Sequence, residues 1–141
     1  MKEVNIRKCE KDDISKIIKI EKESFEHPYK DEIFYYFLKN ENFFVAEFKD
    51  DVIGYIMADI REGQGLIISV AVAPDQRRKG IGRKLMEKVI DNMNTDTVKL
   101  TLRTHNINTF RFYNRLGFHV KGFIRDYYEN GDDAIVMEKD I

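Results

Sequence analysis

The spacing of apolar residues along the chain separates helices from strands. Residues 4–7 alternate between apolar and polar side chains, which predicts a first strand. The next apolar positions recur with the spacing of one buried helix face: Ile14, Ile17, Ile18 and Phe25. Asp12 or Asp13 can cap this helix. Pro28 interrupts it, because the residue before a proline is disfavoured in helical geometry, and a second helix is predicted from Asp31.

Three more strands and the clearest helix occupy the middle of the chain. Apolar runs at 43–48 and 52–60 flank the short polar segment 49–51, and this arrangement indicates a β-hairpin. The run at 66–73 is apolar almost throughout, which is typical of a strand buried on both faces. From Ile81 to Met93 the apolar positions form a helical stripe, which predicts an amphipathic helix.

The C-terminal part alternates strand and helix once more and then ends in two strands. Residues 98–102 predict a strand, and Asn106 or Asn108 can cap the following helix, which Gly117 ends. Two apolar runs within 118–137 predict the closing strands. The order is therefore β-α-α-β-β-β-α-β-α-β-β, an α+β architecture with about seven strands in a mixed sheet and about four helices on its faces.

Composition narrows the class of protein. A chain of 141 residues with 43% hydrophobic residues predicts one domain, residues 1–141, with a substantial core. The 24 basic and 25 acidic residues give a net charge of -1, which disfavours a nucleic-acid partner. No apolar run approaches the roughly 18 residues of a membrane span, so no membrane partner is expected. The three histidines do not form a ligand set, and no metal site is predicted.

The cysteine content and the N-terminal residues indicate the cellular compartment in which the protein is expected. A single cysteine, Cys9, excludes a disulfide within the chain. The first residues lack the apolar segment of a secretory signal peptide. The sequence therefore predicts a cytoplasmic protein, while its oligomeric state is left open.

The strongest functional signal lies between the apolar strand and the helical stripe. Arg77-Arg78-Lys79-Gly80-Ile81-Gly82 connects them, so two glycines stand where a helix begins. Glycines let a ligand approach the backbone, and the first N–H groups of a helix favour an anion. Residues 76–88 carry six basic residues and one acidic residue. The segment predicts a site for a phosphate-bearing ligand, although a tight turn with a solvated charged face is the simpler alternative.

Three segments resemble one family, and together they extend over nearly the whole chain. Residues 77–82 match the Arg/Gln-x-x-Gly-x-Gly/Ala motif of the GNAT superfamily of acetyl-CoA-dependent N-acetyltransferases. Asn106, Tyr113 and the Leu-Gly-Phe run 116–118 resemble its Asn…Tyr…Leu-Gly-Phe segment. Residues 125–137 are similar to the C-terminal region of RimI-type and related N-terminal acetyltransferases. The resemblance implies a GNAT-like, mainly antiparallel, twisted sheet.

The resemblance also implies acetyl-CoA as the acyl donor, without a metal. In the family, the pantetheine arm pairs with the strand before the glycine loop, here at Val70, Ala71 and Val72. The pyrophosphate would lie on the loop and the first helical turn, formed by Arg77, Arg78, Lys79, Gly80, Ile81, Gly82 and Arg83. Asn106 and Tyr113 would contact the cofactor arm.

The implied reaction is direct attack of an amine on the thioester. Tyr113 matches the family tyrosine that protonates the leaving thiolate, whereas its position on an apolar helix face alone favours a core aromatic. RimI-like enzymes commonly carry a glutamate base where this chain has Thr101, whose hydroxyl is no base near pH 7. The base is unassigned: a water chain, bulk solvent or another residue fits, and the residue candidates are Glu32, Asp59 and His105.

Two segments would bind the acceptor if the resemblance holds. The loop between the first two helices and the last hairpin form the acceptor groove of N-terminal acetyltransferases, which here implies Phe25, Glu26, His27, Pro28, Tyr29, Tyr127 and Tyr128. The expected acceptor is the α-amino group of a protein or peptide N-terminus, such as that of a ribosomal protein. The alternatives are a lysine side chain, a polyamine or another small amine, and a non-catalytic acetyl-CoA-binding interaction module.

Overall fold

The computed structural model describes residues 3–141, so the first two residues of the predicted domain lie outside the described part. The strands are β1 (Asn5–Lys8), β2 (Phe43–Phe48), β3 (Asp51–Arg61), β4 (Gln64–Val72), β5 (Thr97–Arg103), β6 (His119–Ile124) and β7 (Ala134–Asp140). The α-helices are α1 (Ile14–Ser24), α2 (Asp31–Tyr36), α3 (Ile81–Met93) and α4 (Ile107–Arg115). Three 3-10 turns, Lys11–Asp13, Phe37–Lys39 and Pro74–Gln76, adjoin the helices α1, α2 and the strand β4. The predicted element order and the α+β class are confirmed.

The strands follow the order β1-β2-β3-β4-β5-β7-β6 in one sheet. The pairs β1–β2, β2–β3, β5–β7 and β6–β7 are antiparallel. The pair β4–β5 is parallel, with Gly65 opposite Val98 and Leu66 opposite Lys99. The sheet is therefore mixed and mainly antiparallel, as the sequence pattern and the family resemblance predicted.

The chain divides into two compact units, of which the first runs through Asp59 and resumes from Ile67 to Asn94. It contains α1, α2 and α3 packed on strands, and Ile14, Ile17 and Ile20 of α1 are fully buried. Ile18 packs against the same core, as predicted, and is partly buried, while Ile20 is a further buried residue of this helix that was not predicted.

Asp13 takes part in helix capping, but at the 3-10 turn Lys11–Asp13 that precedes α1, where its side chain and Glu10 form a capping box. Its carboxylate makes no capping hydrogen bond to α1 and instead accepts bonds from Glu10 N at 2.8 Å and from the Arg7 guanidinium at 2.8 and 2.9 Å. The Arg7 guanidinium beside it holds the pKa of Asp13 below its usual range. The side chain therefore joins β1 to the turn before α1.

The helix α3 has the predicted bounds and the predicted buried face. Its buried side chains follow the stripe: Ile81, Leu85, Met86, Val89 and Met93. Left-handed residues stand at both of its ends, Gly80 before it and Asn94 after it. α3 packs on β1 and β2, which fixes the helix within the first unit.

The second compact unit comprises Ile60–Leu66 and Thr95–Ile141. It contains β5, α4, β6 and β7, with Leu100, Phe118 and Met137 buried at its centre. Gly117, at φ 94°, ends α4 as predicted, and Lys139 Nζ donates to Leu116 O at 2.7 Å. Within residues 3–141, no helix has the length and apolar character needed to cross a membrane.

Candidate active site

The basic turn, residues 77–82, leaves the 3-10 turn after β4 and opens α3. Two of its residues lie in the left-handed region, Arg78 at φ 65° and Gly80 at φ 77°. A side chain built on Gly80 would meet no atom within 4 Å, so this glycine is required by backbone conformation and not by close packing. Left-handed residues in such a turn direct successive N–H groups into a concave surface that suits an anion.

The first turn of α3 adds further N–H groups to this surface. Lys84 N donates to Gly80 O at 3.1 Å, which makes it the first intrahelical bond. The N–H groups of Ile81, Gly82 and Arg83 precede that bond and point beyond the helix end, where the helix dipole favours negative charge. Ile81 is buried, whereas the basic side chains at positions 78, 79, 83 and 84 are exposed around the turn.

The side chain of Arg77 is hydrogen-bonded to other parts of the first unit. Its Nε donates to Val72 O at 2.9 Å, and its Nη2 donates to Ser24 Oγ at 3.0 Å. The guanidinium thus joins the end of β4 to the end of α1. Arg77 lies in the loop, as the sequence predicted. The sequence did not predict that its guanidinium would make hydrogen bonds that hold the loop in place.

The strand β4 presents alternate side chains to two environments. Val70 and Val72 are partly exposed, whereas Ser69 and Ala71 are 6% and 8% exposed. The predicted cofactor strand therefore has one partly open face and one core face, so the prediction that it is buried on both faces is wrong.

A buried glutamate that the sequence analysis missed lies on that core face. Glu21 is 2% exposed, and its Oε1 accepts hydrogen bonds from Tyr55 Oη and, at 2.9 Å, from Ser69 Oγ. Its Oε2 accepts from the backbone N–H of Tyr29 at 2.9 Å. A signal was present, since Glu21 stands four residues after Ile17 on the apolar face of α1.

The predicted acceptor loop follows α1. Phe25 is partly buried and packs against the core, whereas Glu26, His27 and Pro28 are exposed. Tyr29 is 45% exposed, and its hydroxyl donates to Ile68 O on β4 at 3.4 Å. The loop is thus attached to β4 at its last residue.

Tyr113 lies in the second unit and is 5% exposed. Its ring packs edge-on against Phe112 and Phe118, with centroid separations of 5.2 and 5.6 Å. Asn106 stands at the N-cap position of α4, as predicted. Its side chain makes no capping hydrogen bond, so the predicted capping bond is wrong. This geometry is compatible with either predicted role of Tyr113.

The loop before β7 is fastened to β5 through Arg103. Its guanidinium lies 3.9 Å from the ring centroid of Tyr128, and its Nη1 donates to Asp132 Oδ2 and Asn130 Oδ1, each at 2.7 Å. The hydroxyls of Tyr128 and Thr101 are hydrogen-bonded to each other, and burial raises the pKa of Tyr128. The residue at the family base position is therefore paired with a neutral phenol.

Tyr127 extends this tyrosine pair towards solvent. Its ring packs edge-on against Tyr128 at 5.0 Å between centroids, and the residue is 50% exposed. The pair therefore combines one positioned hydroxyl with one accessible aromatic surface.

The three predicted base candidates occupy different settings. Glu32 is exposed in the first turn of α2, and Asp59 accepts a hydrogen bond from Asn40 Nδ2 at 3.1 Å. His105 is exposed, with Nδ1 4.0 Å from Asp132 Oδ2. Over residues 3–141, no group of three or more His, Cys, Asp or Glu residues could hold a metal ion.

Comparison with known proteins gives the family. Residues 13–118 match the model of the Acetyltransferase (GNAT) family. An uncharacterized N-acetyltransferase of Methanocaldococcus jannaschii is 36% identical, covering 95% of this chain and 90% of its own. An N-alpha-acetyltransferase of Sulfurisphaera tokodaii is 34% identical, covering 96% of this chain and 92% of its own.

A solved structure agrees with the sequence comparisons. The ribosomal-protein-S18-alanine N-acetyltransferase from Escherichia coli has a TM-score of 0.85 to this chain at 26% identity, covering 99% of this chain and 94% of its own. The predicted resemblance to RimI-type and N-terminal acetyltransferases is confirmed, and the chain belongs to the GNAT acetyltransferase family.

Proposed function

We propose that the protein transfers the acetyl group of acetyl-CoA to the α-amino group of a protein or peptide N-terminus. The observation that carries the proposal is the left-handed, basic turn at the start of α3, which suits a pyrophosphate. The names of the relatives from Sulfurisphaera tokodaii and Escherichia coli support an N-terminal acceptor. The proposal takes residues 1–141 as a single N-acetyltransferase domain.

In this proposal the donor is held by backbone groups. The backbone of β4 at Val70–Val72 pairs with the pantetheine arm, and the amides of 77–83 hold the pyrophosphate. Arg78, Lys79 and Arg83 add positive charge, while Arg77 fixes the shape of the turn through Val72 O. Asn106 contacts the cofactor arm, as the family motif implies.

The chemical step forms a C–N bond and breaks the C–S bond of the thioester. An N–H group near Val70 stabilises the negative charge that develops on the carbonyl oxygen. Tyr113 donates its proton to the leaving sulfur. The attacking amine must first lose a proton, and an α-amine with a pKa of about 8 does so more readily than lysine at about 10.4.

No carboxylate or histidine is needed at the base position in this scheme. The paired hydroxyls of Thr101 and Tyr128 can orient a water molecule, and the raised pKa of Tyr128 keeps its phenol neutral. The proton of the α-amine therefore leaves to solvent water. This assignment favours an α-amine over a lysine side chain, whose higher pKa would demand a true base.

The compartment proposed is the cytoplasm. Cys9 is buried, and burial raises the pKa of its thiol to about 12, so the residue is an unreactive thiol at neutral pH. A free thiol of this kind is compatible with a reducing compartment.

The acceptor loop 25–29 and the tyrosine pair are each expected to contact the acceptor peptide. Tyr127→Phe and Tyr128→Phe should each raise the KM for a peptide about threefold to tenfold, because each removes one hydrogen-bonding hydroxyl. The KM for acetyl-CoA should stay within twofold. Steady-state kinetics in both substrates would show this, with Tyr36→Phe as a control, since Tyr36 is 65% exposed on α2. Equal losses for both substrates would place the pair elsewhere.

The acceptor class is tested by measuring CoA release from acetyl-CoA with a panel of amines. The panel contains peptides with free N-termini beginning Ser, Ala, Met-Leu and Met-Glu, the same peptides with blocked N-termini and an internal lysine, and polyamines. We expect turnover with free N-termini only. Turnover restricted to blocked lysine peptides or polyamines would replace the N-terminal assignment, and acetyl-CoA binding without any turnover would indicate a non-catalytic module.

A further inference from the structure

Glu21 is a buried carboxylate that the reaction scheme does not use. The groups that donate to it are neutral: the hydroxyls of Tyr55 and Ser69 and the backbone N–H of Tyr29. Burying a carboxylate is costly unless hydrogen bonds replace its hydration. An apolar side chain at this position of α1 would avoid that cost, so packing alone does not explain why a glutamate is buried here.

The carboxylate connects four segments of the first unit. Glu21 belongs to α1, Tyr55 to β3, Ser69 to β4, and Tyr29 is the last residue of the acceptor loop. Tyr55 is fully buried and its ring packs edge-on against Phe34 of α2, 6.1 Å between centroids. The Oε1 end of Glu21 is thus held firmly, and its Oε2 end holds a loop that is otherwise largely exposed.

The cluster adjoins the strand that carries the donor in the proposed function. Ser69 directly precedes Val70, and the hydroxyl of Tyr29 donates to Ile68 O. Glu21 and Tyr29 therefore contact two successive residues of β4 just before the thioester position. Displacement of this loop would move the acceptor groove relative to β4.

We infer that Glu21 is a positioning residue that holds the acceptor loop 25–29 against β4 and so sets where the acceptor amine meets the acyl donor. The inference rests on the proposed function. It assigns no proton transfer to Glu21, because the residue is buried and acts through Tyr29 and Ser69.

The hydrogen-bonding requirement can be separated from charge and from volume. Methionine matches the length of glutamate but accepts no such bonds, so the N–H of Tyr29 loses its partner. Glutamine can turn its oxygen towards Tyr29 N and donate its amide hydrogens to the two hydroxyls, which also accept. Aspartate keeps the charge but is one methylene too short to bridge both sides.

The test compares Glu21→Met, Glu21→Gln and Glu21→Asp in the full chain. Glu21→Met and Glu21→Asp should raise the peptide KM about tenfold or more, leave the acetyl-CoA KM within twofold, and accelerate hydrogen exchange at the Tyr29 amide. Glu21→Gln should recover most of the peptide KM and the protection of that amide. Glu138→Met is a matched control, since Glu138 is another buried glutamate, on β7, and it should leave the peptide KM unchanged.

A merely structural role predicts a different pattern. It would lower the active fraction, so kcat and the melting temperature would fall together while neither KM changed, and this result would overturn the inference. Glu21→Gln as defective as Glu21→Met would also overturn it, because charge would then be required. If Glu21→Met fails to fold, Glu21→Asp and Glu21→Gln give the same comparison.

The failure of the proposed function is distinguishable from the failure of this inference. If the wild type acetylates only lysine peptides or polyamines, the N-terminal assignment falls, and the same comparison of KM values is made with that amine. If no amine is acetylated by the wild type, both are overturned.

Discussion

Replacing Gly82 with glutamate is expected to lower the affinity for acetyl-CoA at least about a hundredfold, which corresponds to about 2.8 kcal/mol. The new carboxylate would stand at the second residue of α3, where the N–H groups of the first turn face the proposed pyrophosphate. Like charges in such close contact cost several kcal/mol, and the side chain also blocks the approach of the phosphates to the backbone. Calorimetric titration with acetyl-CoA measures the change directly.

The same substitution should not destabilise the fold, which separates a binding effect from unfolding. Glycine inside a helix is less favourable than most residues by about 1 kcal/mol, and an acidic side chain in the first turn interacts favourably with the helix dipole. The melting temperature of Gly82→Glu should therefore equal or exceed that of the wild type. Gly122→Glu is a matched control, because a side chain built on Gly122 of β6 would meet no atom within 4 Å. Retained affinity in Gly82→Glu would place the phosphates elsewhere.

Local signals account for most of the fold that could be predicted. The bounds of α3 were predictable because an apolar stripe lies between Gly80 and Asn94, and both residues adopt the left-handed conformation in the structure. The β2–β3 hairpin was predictable for a similar reason, since Lys49 and Asp50 adopt positive φ in the polar turn between two apolar runs. In each case the pattern and the end residues lie within a short stretch of the chain.

The parts that could not be predicted depend on residues far apart in the sequence. The partners of Glu21 on β3 and β4 are 34 and 48 residues away, and the Arg77–Ser24 bond joins positions 53 residues apart. Asp13 was predicted from its local position as a cap, and its bond from Glu10 N is a capping interaction, but its ion pair with Arg7 of β1 was not predicted. The sequence pattern shows that a charged residue lies on an apolar face. It does not show the hydrogen-bond partners that offset the desolvation of that residue, because they come from distant parts of the chain.

The site residues divide in the same way. The loop 77–82 was predictable from its glycines and charges, and the family resemblance supplied the position of Tyr113. The contacts of the Arg103 guanidinium with Tyr128, Asn130 and Asp132 were not predicted, because they join β5 to a loop about 27 residues later in the chain. These contacts of Arg103 hold Tyr128 beside Thr101, which gives a physical reason for a neutral hydroxyl pair at the predicted base position.

Replacing Tyr113 with phenylalanine is expected to lower the rate of acetyl transfer about tenfold to a hundredfold. General acids typically contribute about a hundredfold or more, but a leaving thiolate with a pKa of about 8.5 needs only modest help near pH 7. The affinity for acetyl-CoA should change less than threefold. The aromatic ring is retained, so its edge-on contacts with Phe112 and Phe118 should keep α4 in place.

Single-turnover measurements at saturating acetyl-CoA and peptide test this result, because they report the chemical step even where product release limits kcat. Tyr35→Phe serves as the control, since Tyr35 is half exposed on α2 and lies outside the proposed site. The two predicted roles of Tyr113 give opposite outcomes. A proton donor loses rate with an unchanged melting temperature, whereas a purely structural core aromatic whose hydroxyl contributes to packing loses melting temperature with an unchanged rate. An unaltered single-turnover rate would therefore remove Tyr113 from the reaction and leave the thiolate to be protonated by solvent.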